Sequence, residues 1–156
     1  MVSVIENLKE LGLELPESAP PLFNYVPYVI AGNMVFIAGQ VPIGCDNPDD
    51  YKGTLGADVE MDTALKAAEQ CGLNILRQII DAVEGDCTRI KRCVKLGGFV
   101  NCTSDYTDMS LIINATSDLM VSALGEERGK HARFAVGAPS LPAGFCVEVD
   151  AIFEIS

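Results

Sequence analysis

The sequence predicts a single α+β domain in which two helices cover one face of a mixed β-sheet. Three observations predict it. The hydrophobic spacing switches between period two and period 3.6 along 156 residues, giving the order β-β-α-β-α-β-β after a short first helix. Two of the helical stretches are long enough to cover a four- or five-stranded sheet, and helices that bury one stripe against a sheet define this class. A chain of this length buries roughly two thirds of its unfolded surface, so one core needs no staples.

Ser3-Val4-Ile5-Glu6 has the form of a capping box, and Val4, Ile5, Leu8 and Leu11 follow at helical spacing until Gly12. Pro16 to Pro21 is too rich in proline to continue the helix. Residues 1–21 therefore read as an N-terminal helix and connector, and 22–156 as the core. Tyr25–Ala31 and Met34–Ala38 are β-prone runs around Gly32-Asn33, a pair suited to a tight turn with glycine first. Residues 42–57 read as a polar loop, whose Asp46, Asp49 and Asp50 lack the regular ligand pattern of a calcium loop. A long helix is expected from an Asp58 N-cap to a stop at Gly85, with Ala64, Ala68, Cys71, Ile75, Ile79 and Val83 on its apolar stripe.

Residues 90–102 read as a strand with Val94, Leu96, Gly98 and Val100 on one face and Cys93, Lys95, Gly97, Phe99 and Asn101 on the other. A second helix is expected from about Ser104 to Leu124, presenting Met109, Ile112, Ile113, Thr116, Leu119, Met120 and Ala123 to the sheet. Strands over about 132–137 and 145–155 complete the domain. In the last of these, Val147, Val149, Ala151 and Phe153 point one way while Cys146, Glu148 and Asp150 point the other. Unpaired buried carboxylates are costly, so that second set must reach water or meet cations. Arg133 is the nearest candidate partner, which places Lys95, Glu148, Asp150 and Arg133 together on the uncovered face. Such a face, with apolar neighbours, fits packing against other subunits. A hydrophobic fraction of 49% and a mean hydropathy of +0.25 point the same way.

Composition excludes several function classes. The net charge is −11, and no basic run exceeds Lys91-Arg92, so a nucleic-acid partner is not expected, because gripping phosphates needs clustered cations. No apolar run reaches transmembrane length, and Met1 to Glu6 lacks a secretory start, so a cytoplasmic protein without membrane contact is the expectation. The six cysteines lack C-x-x-C spacing and there is one histidine, which argues for reduced thiols and against a zinc site. His131 invites the role of a base, but no Ser or Cys partner is evident beside it, and a surface position before a strand is the expectation.

Tyr25-Val26 with the run Ala31 to Pro42 (AGNMVFIAGQVP), Asn114-Ala115-Thr116, and Ala132-Arg133 through Val147-Glu148-Val149-Asp150-Ala151-Ile152 together resemble the Rid family of imine deaminases, also known as endoribonuclease L-PSP or chorismate mutase-like proteins. The resemblance runs from about Asn24 to the C-terminus. The extended N-terminus, the loop at 44–57 and Val94 to Asn101 resemble a longer branch of that family. The resemblance implies a chorismate mutase-like domain assembled as a homotrimer with clefts between subunits. It implies hydrolysis of 2-imino or 2-enamino acids to 2-keto acids and ammonia, with no metal or cofactor. By position, Arg133 would hold a substrate carboxylate, Glu148 would orient or activate water, and Tyr25, the Gly39 backbone and Asn114 would line the cleft. Two positions depart from the pattern: Ala38 stands where many active members have Ser, and Ala135 where they have Cys. A second reading stays open, in which the cleft binds a small carboxylate or keto acid without turning it over. Endoribonuclease activity is disfavoured by the acidic charge, and chorismate mutase activity by the single matched arginine.

Overall fold

The computed structural model describes residues 3–18, 20 and 22–156; Met1, Val2, Ala19 and the Pro21 end of the expected connector lie outside them. Helix α1 (Val4–Glu10) opens with the capping box in place: Ile5 N–H donates to Ser3 Oγ and Ser3 N–H to Glu6 Oε2. Its Val4 and Leu8 are buried, and Asn7 donates to the Ala123 carbonyl, tying α1 to the domain.

Strands β1 (Tyr28–Ala31) and β2 (Met34–Gln40) form the expected hairpin, Ala31 opposite Met34, with Gly32 carrying the left-handed φ of 64°. β1 begins three residues later than the β-prone run. Pro27 has no N–H to give a ladder, though its carbonyl accepts from Ala38. Helix α2 (Met61–Ala82) has Glu60 as its N-cap instead of Asp58, whose carboxylate accepts from Thr54 N–H inside the preceding loop. Strand β3 (Ile90–Asn101) leads to helix α3 (Met109–Leu124), a one-turn helix α4 (Glu126–Gly129), and strands β4 (Ala132–Ala138) and β5 (Val147–Ile155). α3 starts five residues after the expected Ser104. Residues 103–106 are used in a turn, with Thr103 N–H bonded to Leu55 O and Tyr106 N–H to Thr103 O.

The five strands lie in the order β1-β2-β5-β3-β4, antiparallel except for β3 with β4. That is the mixed sheet with helices on one face. Val147, Val149, Ala151 and Phe153 are buried under α2 and α3, as period two requires. Gly72 sets how closely the helices meet, since a Cβ there would lie 2.8 Å from Leu119 Cδ2, and Thr116 Oγ1 donates to the Ala68 carbonyl across the same contact. One expected alternation slips. A register shift between Cys93 and Lys95 turns Cys93 into the core, while Leu96, Gly98 and Val100 keep their assigned face. The opposite face of the sheet is uncovered and carries exposed Val29, Phe36 and Val136 beside Lys95 and Asp150.

Candidate functional site

The five residues singled out by sequence fall into two groups on one chain. In the parallel ladder Arg133 is paired with Leu96 and Phe134 with Gly97. Arg133 therefore shares the helix-covered side with buried Leu96, at the outer strand of the sheet, where its guanidinium meets α3. Nη1 donates to Asn114 Oδ1 at 2.8 Å and to Ser117 Oγ at 3.0 Å, and Nη2 donates to the Ser110 carbonyl at 3.3 Å. All three acceptors are neutral. The expected pairing of Arg133 with Glu148 or Asp150 does not form, because β4 turns Arg133 to the opposite side from both acids. Phe134 takes the uncovered face instead, edge-on to Phe99 at 5.3 Å and with Lys95 Nζ 5.4 Å from its ring centroid.

His131 does have a serine partner. Its Nε2 lies 2.9 Å from Ser117 Oγ, and its Nδ1 lies 2.6 Å from the Gly129 carbonyl. A carbonyl only accepts, so Nδ1 carries a proton, and in the neutral tautomer this leaves Nε2 to accept from the Ser117 hydroxyl. Sequence reading missed this link because α3 and β4 bring Ser117 and His131 together from 14 residues apart. A signal existed nonetheless: Ser117 follows Asn114 by three, hence on the same helix face.

The second group surrounds Glu148. Gly39 on β2 stands against it so closely that a Cβ on Gly39 would be 2.2 Å from Glu148 Oε1. The missing side chain thus makes room for the acid itself. Burial raises the Glu148 carboxyl above its ordinary value, and the nearby Asp150 raises it further. Asp150 is raised by burial too, opposed by the Gly97 N–H and by Lys95. Gly39, Glu148 and Tyr25, which lies just before β1, line one cavity of about 610 Å³ that also includes Ala38.

Gly39 and Arg133 stand on strands separated by two others, so their backbones are roughly 14 Å apart at the usual strand spacing. Asn114 and Arg133 therefore form one half of the candidate site and Tyr25, Gly39 and Glu148 the other. A small molecule cannot bridge the halves within one chain. Among the described residues no cluster of three or more His, Cys, Asp or Glu is arranged to hold a metal ion, and no helix is long and apolar enough to cross a membrane. Cys71, Cys93, Cys102 and Cys146 are buried and all six cysteines are free thiols.

The chain resembles several known proteins. The Trypanosoma cruzi protein TCP17 is 43% identical over 153 residues, covering 98% of this chain and 94% of that protein. Atu1372 of Agrobacterium tumefaciens, of unknown function, has a crystal structure with a TM-score of 0.87 and 42% identity, covering 98% of this chain and 93% of that one. A crystal structure from Shewanella oneidensis gives a TM-score of 0.90 at 31% identity, covering 99% and 100%. A model of the family described as "YjgF/chorismate_mutase-like, putative endoribonuclease" matches residues 6–154, taking in α1 as well as the core. Fold and sequence agree, and the chain belongs to the YjgF/Rid family.

Proposed function

We propose that the protein is a homotrimer in which Asn114 and Arg133 of one subunit face Tyr25, Gly39 and Glu148 of the next, and that each shared cleft hydrolyses 2-imino or 2-enamino acids. The observation that carries this reading is that Arg133 has three neutral acceptors and no carboxylate among the described residues. Its positive charge is left for an anion, and its fork fits a carboxylate two-pronged. Separation of the half-sites on one chain supports completion by a neighbour, and exposed Val29, Phe36 and Val136 on the uncovered sheet face support an interface there.

In such a cleft the iminium R–C(=NH2⁺)–COO⁻ would lie with its carboxylate on Arg133. Glu148 takes a proton from water as the oxygen bonds to the imine carbon and returns it to nitrogen. As the C–N bond breaks and the carbonyl forms, the new hydroxyl gives up its own proton, which converts the departing ammonia to ammonium. The balance is iminium plus water to keto acid plus ammonium. The raised proton affinity of Glu148 suits it to that exchange. An iminium is already electrophilic, so positioning supplies most of what is needed.

The test is to generate 2-aminoacrylate or 2-aminocrotonate with a dehydratase and follow keto-acid release. Acceleration by the wild type, lost in Arg133→Ala with the trimer intact, is the expected result; loss of the trimer would make Arg133 structural. Ala38 and Ala135 favour a second reading, since neither offers a hydrogen bond to a reacting group. It would hold if no imine is accelerated while keto acids still bind by calorimetry.

A further inference from the structure

The cavity beside Glu148 is large for the smallest imino acids. Its volume of about 610 Å³ falls within the ~300–1,000 Å³ of sites that enclose drug-sized ligands, whereas 2-aminoacrylate has three carbons. Aromatic rings wall it: Phe23, Tyr25 and Phe145 all line the space, and Ala38 leaves it wider than a larger residue would.

The cavity does not end in apolar wall. It continues past the end of β2 to α2, where Gln78 and Arg77 line it. Gln78 is 7% exposed, yet its amide has no hydrogen-bond partner among the described residues. Beside it, Arg77 Nε is buried without a partner, although Nη2 of the same guanidinium pairs with Asp81. The other amides here are engaged: Asn74 donates to the Val41 and Ile43 carbonyls and Gln40 to the Ala38 carbonyl. Glu17 on the connector is exposed. The Gln78 amide lines the cavity with no partner among the described residues, so its donor and acceptor are free for a ligand.

We propose that this cavity selects 2-imino acids whose side chain is aromatic in size and carries a hydrogen-bonding group at its far end, the ring packing between Phe23, Tyr25 and Phe145 and its tip meeting the Gln78 amide. The inference rests on the imine-hydrolase reading for which end of the ligand reacts. A phenol fits the far end well. Its hydroxyl can bond with the Gln78 amide, as phenyl cannot. A site built around a substrate hydroxyl discriminates against the analogue lacking it more sharply than an apolar pocket counts methylenes.

The experiment compares three imines made in place: those from tyrosine and phenylalanine, released by an L-amino-acid oxidase with catalase present, and 2-aminoacrylate from a serine dehydratase. The expected order of kcat/KM is tyrosine-derived, then phenylalanine-derived, then 2-aminoacrylate, with about tenfold between the first two, the worth of one good hydrogen bond. In Gln78→Leu, which keeps helix propensity and side-chain size, the ratio of the first two should fall towards one. Fastest turnover of 2-aminoacrylate by the wild type, or an unchanged ratio in a folded Gln78→Leu protein, would overturn the proposal. If no imine is accelerated, the hydrolase reading fails separately. The cavity is then judged by calorimetry with 4-hydroxyphenylpyruvate, phenylpyruvate and pyruvate, where the same order of affinity supports it and tightest binding of pyruvate refutes it.

Discussion

Ser117 accepts a hydrogen bond from Arg133 Nη1 at 3.0 Å and lies 2.9 Å from His131 Nε2, to which its hydroxyl donates when the imidazole is neutral. The only histidine of the chain thus acts on the guanidinium through one hydroxyl. Gly129 O holds a proton on Nδ1, so in the neutral tautomer the Ser117 hydroxyl points to Nε2 and keeps its lone pairs turned to Arg133. Ser117→Ala removes one of three restraints on that side chain. Affinity for a keto-acid ligand should fall about tenfold, the usual worth of a hydrogen bond to a charged group, with the oligomer unchanged. Calorimetry beside sedimentation measures both.

Gly39→Ala should act on Glu148 and leave the fold alone. Gly39 does not need a left-handed backbone, so alanine is tolerated there conformationally, but its Cβ would sit 2.2 Å from Oε1. Glu148 is half-exposed and can swing aside. Displacing a reacting carboxylate by about 1 Å costs on the order of 10² in rate. The expected outcome is a kcat loss of that size with Tm within a few degrees of wild type. Adding Glu148→Gln to Gly39→Ala should cost little more, since both changes remove the same group.

Much of this arrangement is legible in the sequence, and the failures have physical reasons. β5 alternates strictly, so the outward set with Glu148 and Asp150 can be read by counting in twos. β4 does not alternate. Ala132 to Ala138 is apolar on both sides apart from Arg133, so its phase is set by the parallel pairing with β3, which no local pattern encodes. That single parity separates Arg133 from the acids it was expected to meet. Cys93 slipped for a similar reason, a bulge that costs one residue of phase. Gln78 was invisible as a site residue because a polar side chain amid a long helix reads as solvent-facing until the connector is seen lying over it.

Stability should depend on pH through Glu148. Its carboxyl is raised in the folded chain by burial and by Asp150, so the folded state holds the proton more tightly than the unfolded one. The sign follows from linkage. The group's stabilising contribution is complete below the ordinary carboxylate value and is lost as pH climbs from there through the raised value. Glu148→Gln cannot ionise, so the wild type should lose stability relative to the variant over that rise. Urea midpoints at pH 4 and pH 7 measure it: the variant's advantage should be larger at pH 7, and no change in the difference would show that Glu148 is well solvated. If Glu148 also handles protons in catalysis, the more stable variant is the inactive one, a trade-off expected of a functional carboxylate.

Arg133→Lys separates charge from geometry. A lysine retains the cation at the same strand position, but one ammonium cannot reach Asn114, Ser117 and the Ser110 carbonyl from fixed directions while also offering two parallel N–H groups. Were charge alone sufficient, Arg133→Lys would keep most of the affinity for a keto acid and most of the imine turnover. The fork geometry predicts otherwise. kcat/KM should fall at least about tenfold, the cost of one lost charge-assisted hydrogen bond, while the Tm changes little because the side chain is only partly buried. The fall should also appear in ligand affinity, since the same two-pronged contact holds substrate and product carboxylates alike. A variant with full affinity and reduced turnover would instead place Arg133 at the reacting centre and leave the carboxylate to another group.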